Sequence, residues 1–179
     1  MAAQSPLSSL RPLTSAATPG DNGWIVFQRS GSGRLGLSPG AIGKMSPYAQ
    51  KVARSKEAGG VLLGRRIIDS DDVVVDTVTV PCSRDVRRRC LFIRHSHGHQ
   101  AAVDAAWRKS GGSRIYLGEW HTHPEGVPTP SCTDLESWRE KMSLIDSVND
   151  SLFFLILGTD ELAAWEGATS TLHCDPITS

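Results

Sequence analysis

Residues 114–145, "RIYLGEWHTHPEGVPTPSCTDLESWREKMSLI", contain the two elements that decide how this chain folds. The first ten residues are rich in side chains that favour extended structure, and they predict a strand. The segment "SCTDLESWREKMSLI" (131–145) carries apolar side chains at helical spacing, which predicts a helix. Those side chains are Leu135, Trp138, Met142 and Ile145. Because Ser131 stands where an N-cap residue is expected, the stretch predicts a strand, a proline-rich loop and a capped helix.

The polar side chains of this stretch fit a metal centre. His121 and His123 occupy alternate positions of the predicted strand, so both imidazoles lie on one face. The helix that begins near Ser131 can return Asp134 towards them. Two imidazole nitrogens and one carboxylate oxygen leave a fourth position for water, which is typical of a catalytic zinc ion. The sequence therefore predicts one zinc ion per chain, bound by His121, His123 and Asp134.

A structural interpretation of the same residues stays open. Ser131 and Asp134 match a capping box, whose role is to satisfy backbone donors at a helix start. His121 and His123 could also form a polar pair at the rim of the sheet. The combination of all four residues with a strand, a loop and a helix favours the metal site. Hydrolysis at zinc also needs a base, and the spacing of the glutamates does not choose between Glu119 and Glu125.

The rest of the chain alternates strands and helices. Strands are predicted in "GWIVFQR" (23–29), in a hairpin formed by "GGVLLGRRII" and "DVVVDTVTV" (59–80), and in "SLFFLILG", "LAAWEG" and "STLHC" (151–174). Helices are predicted from about residue 38 to 54, interrupted or bent near Pro47, and from His99 to Trp107, where one face carries His99, Val103, Ala106 and Trp107. The expected class is mixed α/β, with one domain over 21–179 whose central mixed sheet is flanked by helices.

Composition limits the partners and the compartment. Lys+Arg and Asp+Glu number 19 each in 179 residues, so neither nucleic acid nor an anionic membrane is predicted as a partner. No apolar run reaches the roughly 20 residues that a membrane-spanning helix needs. The four cysteines form no Cys-x-x-Cys pair, which favours free thiols in the reducing cytoplasm. Residues 1–20, rich in Ser, Ala and Pro, predict a disordered tail, and the basic run "RDVRRRC" (84–90) predicts a solvated face or loop.

Two segments together resemble a known family. "HTHPEGVPTPSCTD" (121–134) reads His-x-His-Pro-x6-Ser-x-x-Asp, which resembles the motif of the JAMM/MPN metalloproteases. That family also has a glutamate upstream, before a Gly-Gly pair that opens a strand, and "KEAGGVLLG" matches it with Glu57. The resemblance covers about residues 24–167. It implies that His121, His123 and Asp134 bind zinc, that Glu57 is the base, and that Ser131 stabilises the oxyanion.

The resemblance also implies a substrate class. The chain is similar to bacterial JAMM peptidases of CBASS antiphage operons and of related ubiquitin-like operons. The activity it implies is cleavage after the C-terminus of a ubiquitin-like protein, or of a CD-NTase conjugated in the same way, with E1/E2-like operon partners. Two alternatives stay open: a non-catalytic MPN-type scaffold, which the intact motif disfavours, and a RadC-like protein, which the zero net charge disfavours.

Other histidine, cysteine and tryptophan residues have structural interpretations. "HSHGH" (95–99) raises a second metal site, but His99 falls on the apolar face of the following helix and favours a satisfied core or rim histidine. Cys132 could ligate zinc as a thiolate, although it occupies a variable position of the motif. Trp120 and Trp138 are expected in the core.

Overall fold

The computed structural model describes residues 23–145 and 151–179. The predicted tail, residues 1–20, lies outside the described residues. The strands are β1 Ile25–Gln28, β2 Arg34–Leu37, β3 Gly59–Arg66, β4 Val73–Val78, β5 Val86–Arg88, β6 Leu91–Ile93, β7 Ile115–Thr122, β8 Ser151–Leu157, β9 Leu162–Ala168 and β10 His173–Ile177. The helices are α1 Pro39–Met45, α2 Ser96–Lys109 and α3 Cys132–Ser143. None of these helices has the length and apolar character needed to cross a membrane.

One large sheet organises the described residues. Its strand order is β1-β2-β4-β3-β7-β8-β9-β10, and a separate hairpin pairs β5 with β6. The pairs β2–β4 and β7–β8 are parallel and the others are antiparallel. At the two edges, the backbone N–H of Gln28 donates to the carbonyl oxygen of Thr178 over 2.6 Å, so the sheet curls on itself. The predicted mixed α/β class is confirmed.

Apolar side chains cover both faces of this sheet. On the α1 face, Met45 of that helix joins Leu35, Trp120 and Phe153 in one buried cluster. On the α3 face, a second cluster contains Trp138, Met142, Leu152, Phe154, Ile156 and Trp165. Strand β8 is buried on both faces as far as Ile156, which explains its uninterrupted apolar sequence. Each large side chain that leaves water here contributes about 1.5–3 kcal/mol to folding.

The local structure differs from the predictions at three points. The helix predicted over 38–54 ends at Met45, and a single 3-10 turn follows over Ser46–Tyr48, because Pro47 cannot donate a backbone hydrogen bond. The short strands β2, β5 and β6 were not predicted. The basic run 84–90 lies mostly at the surface, as predicted, and its centre forms β5. Trp107, predicted on an apolar helix face, is 51% exposed.

Candidate metal centre

The site lies where β7 ends and α3 begins. β7 is a central strand, with β3 on one side and β8 on the other. His121 and His123 lie on the face of β7 opposite to Trp120 and Thr122, both of which are buried. The indole Nε1 of Trp120 donates to the carbonyl oxygen of Thr79 over 2.9 Å, which fixes the strand against its neighbours. The period of two along a strand therefore divides this segment into a core face and a polar face.

Three potential ligand atoms converge at this point, and we call the residues the His-His-Asp cluster: His121, His123 and Asp134. The Nε2 atoms of the two histidines are 3.1 Å apart. Asp134 places Oδ1 3.2 Å from Nε2 of His121 and Oδ2 3.4 Å from Nε2 of His123. Tetrahedral ligands bonded to zinc at about 2.0–2.1 Å are separated by about 3.3 Å. The donor set and its spacing therefore fit a zinc ion.

The start of α3 holds Asp134 in place. Ser131 is the N-cap, and the two residues form a complete capping box. The backbone N–H of Asp134 donates to Oγ of Ser131 over 3.2 Å, while Ser131 donates to Oδ2 of Asp134 from its backbone N–H over 2.7 Å and from its hydroxyl over 2.6 Å. The capping box of the structural interpretation is therefore present, and it also aims the same carboxylate at the two histidines.

Glu57 lies beside the cluster in the extended segment that leads into β3. It is only 8% exposed. Burial raises the pKa of its carboxyl group to about 7, with His123 opposing the shift and Asp134 adding to it. A carboxylate with a pKa near neutrality is suited to general acid–base chemistry at the pH of the cell. The structure therefore brings together the glutamate and the ligand triad, which are more than sixty positions apart in the sequence.

The two glycines after Glu57 allow the strands to approach one another. Gly59 pairs with His121, and a Cβ at Gly59 would lie 2.5 Å from the Phe92 ring and 2.6 Å from the carbonyl oxygen of Trp120. A Cβ at Gly60 would overlap the carbonyl oxygen of Thr79. A larger residue at Gly59 would push β3 away from β7, and one at Gly60 would push it away from Thr79, just after β4. Gly59 therefore allows the close approach of β3 and β7 that brings Glu57 beside the cluster.

The charges of the cluster are coupled. Although burial raises the pKa of Asp134, hydrogen bonds with His121 and His123 lower it well below its usual range. Burial lowers the pKa of His123, but its interactions with Asp134, Glu57 and Glu125 raise it above its ordinary value. Asp134 is therefore an anion at every physiological pH, as a metal ligand must be.

The other candidate residues of this region lie outside the cluster. Glu119 lies on the same face of β7 as the two histidines, but its carboxylate contacts Arg94 and Lys141. Its Oε2 lies 3.4 Å from Nζ of Lys141. Glu125 is half exposed and its carboxylate lies 3.9 Å from Nδ1 of His123. The Cys132 thiol is exposed and is not among the converging ligand atoms. Of the three glutamates considered, Glu57 is the one whose environment prepares it to act as a base.

Comparison with known proteins agrees with this geometry. The sequence profile of the prokaryotic homologues of the JAB domain matches residues 42–168. The chain belongs to this family. The resemblance to the JAMM/MPN proteins is therefore confirmed.

Relatives of this JAB protein have been described in several bacteria. A protein from Vibrio cholerae named CD-NTase/cGAS isopeptidase is 34% identical over 143 residues, covering 80% of this chain and 86% of the relative. A protein of the same name from Pseudomonas aeruginosa is 45% identical over 104 residues, or 58% of this chain and 65% of the relative. The solution structure of a Desulfitobacterium hafniense protein superposes with a TM-score of 0.54 at 25% identity, covering 78% and 87% of the two chains.

Sequence reasoning missed the residues that hold Glu57 of the JAB domain. Glu57 donates its backbone N–H to the carbonyl oxygen of Arg88 over 2.7 Å, and its own carbonyl oxygen accepts from Nε of Arg87 over 2.7 Å. Gln50 joins the same hairpin to β7, since its amide donates to the carbonyl oxygen of Arg89 over 2.8 Å and accepts from the Thr122 hydroxyl over 3.1 Å. The local feature of the sequence that indicates the β5–β6 hairpin is the apolar segment "LFI" (91–93), which closely follows "VRR" (86–88).

Proposed function

We propose that this JAB protein is a zinc-dependent isopeptidase that cleaves after the C-terminus of a conjugated protein and releases that protein from its target. The observation that carries the proposal is the convergence of His121, His123 and Asp134 beside a buried glutamate with a pKa of about 7. Two relatives are named isopeptidases, and one from Sinorhizobium fredii is named a probable metalloprotease. These names support a hydrolase of this class.

The residues present have distinct tasks in such a reaction. His121, His123 and Asp134 would hold the metal through Nε2, Nε2 and a carboxylate oxygen. Bound zinc supplies a Lewis acid that polarises the scissile carbonyl and acidifies the attacking water. Glu57 accepts the proton of that water at a carboxylate oxygen and later donates it to the leaving amine. A carboxyl group with a pKa of about 7 is ionised in a large part of the molecules at neutral pH and can still return the proton.

Ser131 has a further task in this proposal. Its hydroxyl, which donates to Oδ2 of Asp134, lies on the exposed side of the cluster. Rotation about the Cα–Cβ bond would turn the hydroxyl towards the carbonyl oxygen of a bound substrate, while the backbone N–H continues to hold Asp134. A donor that reaches the oxygen as it becomes negatively charged stabilises the transition state more than the ground state.

For the substrate, we propose a CD-NTase or a ubiquitin-like protein joined through its C-terminus by an E1/E2-like partner in the bacterial cytoplasm. The Vibrio cholerae and Pseudomonas aeruginosa relatives carry the name CD-NTase/cGAS isopeptidase, and this supports a CD-NTase and a role in CBASS antiphage defence. A scaffold role is disfavoured because a protein that does not hydrolyse its partner needs neither Glu57 nor a zinc ligand set beside it.

Intact mass spectrometry tests the proposal. A CD-NTase is fused through its C-terminus to a reporter protein and incubated with the zinc-loaded enzyme and with the Asp134→Ala variant. Cleavage at the junction by the wild-type enzyme alone is the expected result. An uncut fusion in the presence of fully zinc-loaded enzyme would contradict the proposed substrate, and a ubiquitin-like fusion then tests the second member of the class.

A further inference from the structure

A second group of metal-ligating side chains lies outside the His-His-Asp cluster. Cys82, in the loop after β4, Asp85, just before β5, and His99, in the second turn of α2, each offer one ligand atom within 4.8 Å of the others. We propose that this Cys-Asp-His cluster is a second metal site, which binds a divalent ion with affinity for thiolates such as Zn²⁺ and fixes the β5–β6 hairpin to α2. The interactions of these three side chains carry this inference independently of the proposed peptidase activity.

The distances between the ligand atoms suit a four-coordinate ion. Sγ of Cys82 lies 3.3 Å from Oδ1 of Asp85, and Nε2 of His99 lies 3.1 Å from Oδ2 of the same carboxylate. In a tetrahedral zinc site, about 3.3 Å separates nitrogen and oxygen ligands, and about 3.6 Å separates sulfur and oxygen ligands. Shifts of a few tenths of an ångström would therefore suffice, and the fourth position remains for water.

The cluster buries a negative charge that has little to balance it. The Asp85 side chain is 0% exposed and that of His99 is 1% exposed. Among the described residues, His99 is the one basic side chain within 4.0 Å of Asp85, and it is charged only when protonated. Buried carboxylates are normally paired with a cation or bound to a metal. A divalent ion bound by one carboxylate, one thiolate and one neutral imidazole would leave the buried site with no net charge.

The surroundings keep Asp85 ionised and orient it. Its two oxygens accept from the backbone N–H groups of Cys82 and His95, over 2.7 and 2.8 Å. Burial raises the pKa of Asp85, but these backbone hydrogen bonds, together with those from His99 and the Cys82 thiol, bring it below its ordinary value. The carboxylate is thus an anion with a fixed orientation before any metal arrives.

The second nitrogen of His99 is also held. Nδ1 lies 2.6 Å from Oγ1 of Thr79, and that oxygen in turn accepts from the backbone N–H of Val61 over 2.9 Å. Histidine ligands of metals commonly use their other nitrogen in this way, which fixes the ring. On metal binding, Cys82 releases its thiol proton to solvent, and His99 gives up the Nε2 proton that faces Asp85 and takes one from solvent at Nδ1, so the neutral ring donates to the Thr79 oxygen.

An ion has a route to the cluster. Cys82 and His99 both line a cavity of about 700 Å³ between α1 and α2. Gly98 lies beside the thiol, and a Cβ there would come within 3.2 Å of Sγ of Cys82. The glycine therefore leaves the sulfur room to move towards a metal. Of the three histidines in "HSHGH", His99 is the one that joins this cluster, and its partners come from a preceding loop.

Cobalt substitution tests the proposal, because Co²⁺ bound to a thiolate shows an intense sulfur-to-metal charge-transfer band that nitrogen and oxygen ligands do not produce. The full-length protein is stripped of metal, titrated with Co²⁺ and then with Zn²⁺, and its metal content measured. Wild type is expected to bind two ions per chain and to show the band. Cys82→Ser, whose hydroxyl can still donate to Asp85, is expected to bind one ion and to lose the band. Cys132→Ser, the matched control beside the other cluster, keeps both.

The Asp134→Ala variant separates this inference from the proposed function. It is expected to retain one ion and the charge-transfer band. If wild type binds a single ion without the band and Asp134→Ala binds none, the second site is overturned and the peptidase proposal stands. If wild type binds a single ion that is lost in Cys82→Ser but retained in Asp134→Ala, the second site is supported and the first is contradicted. If Cys82→Ser fails to fold, absence of the band in Asp134→Ala still overturns the inference.

Discussion

The His-His-Asp cluster and the Cys-Asp-His cluster have similar donor spacing but different surroundings. The first is open to substrate, since the side chains of His121 and Asp134 are 14% and 19% exposed. In the second, the side chains of His99 and Asp85 are 1% and 0% exposed. Only the first has a glutamate whose pKa is raised towards neutrality. Donor spacing therefore marks a place for a metal, while exposure and a neighbouring base decide whether the metal can act on a substrate.

The two clusters also differ in how they are satisfied without a metal. In the His-His-Asp cluster, two Nε2 atoms face each other at 3.1 Å, so at most one proton lies between them. In the Cys-Asp-His cluster, Asp85 accepts hydrogen bonds from a thiol, an imidazole and two backbone N–H groups. Asp134 also accepts hydrogen bonds, from Ser131 and the histidines, so the difference lies in the pair of histidine nitrogens that face each other in the open cluster and have no counterpart in the closed one.

Replacement of Glu57, the proposed base, gives the largest expected effect. It tests whether hydrolysis depends on the His-His-Asp cluster and not on the Cys-Asp-His cluster. Glu57→Gln should lower kcat by about 10²–10⁴-fold, because general acid–base transfer is lost. Zinc content, measured by elemental analysis, should not change, since the Glu57 carboxylate is not among the converging ligand atoms. The matched control is Glu119→Gln. Glu119 lies on the same face of β7 as His121 and His123, but its carboxylate contacts Arg94 and Lys141. An equally slow Glu119→Gln enzyme would undo the assignment of the base.

The Ser131 hydroxyl gives the next largest expected effect. Ser131→Ala should slow turnover by about 10²–10³-fold if the hydroxyl reaches the substrate oxygen in the transition state. Loss of the cap should also lower the free energy of unfolding by about 0.5–2 kcal/mol. Thr133→Ala is the control for both measurements, because it removes an exposed hydroxyl two residues after Ser131, in the first turn of α3. A near-normal rate with lowered stability would reduce Ser131 to a helix cap.

Stability of the metal-free protein should depend on pH in opposite ways through Glu57 and through Asp85. The raised pKa of Glu57, about 7 against an ordinary 4.5, means that the folded state holds this proton more tightly. Glu57 then contributes stability below pH 4.5 that is lost as pH rises towards 7, at most ~3 kcal/mol. The lowered pKa of Asp85 contributes stability above its ordinary value of 3.8 that is lost in acid.

Urea unfolding of the metal-free protein at pH 5 and pH 8 measures the first of these effects. Glu57→Gln should remove a large part of the fall in stability between the two values, since the amide does not titrate. Parallel pH dependence in wild type and Glu57→Gln would mean that the carboxyl group is not buried in its acid form.

The smallest expected effect concerns the hairpin that connects the two clusters. Arg87→Ala should lower kcat about ten-fold, equivalent to ~1.4 kcal/mol, because Glu57 loses the hydrogen bond that holds its carbonyl oxygen. Zinc content and KM should change little, and Arg87→Lys should recover part of the rate. Arg88→Ala is the control, since its backbone oxygen, and not its exposed side chain, contacts Glu57. Equal losses in both variants would point to general weakening of the hairpin.

Much of the fold was predictable because its signals are local. The hairpin of β3 and β4 follows from two segments dense in β-branched residues, and β8 from an apolar run that both faces of the sheet bury. The exceptions are informative. Strands β2, β5 and β6 have three or four residues each, too few for a period of two to show. The helix predicted to residue 54 ends early because Pro47 interrupts it, and the contacts of Gln50 with Arg89 and of Ala58 with Thr122 tie the segment that follows to the hairpin and to β7.

The sequence by itself determined that His121, His123 and Asp134 converge. A strand places His121 and His123 on one face, a capped helix returns Asp134, and both rules act within fourteen residues. The resemblance to a family, rather than spacing, selected Glu57 as the base. Only the tertiary structure decided what surrounds Glu57 and which residues join His99. Those contacts link segments distant in the chain, and burial, which sets the pKa of Glu57 and the charge balance at Asp85, exists only once the sheet and its helices have packed.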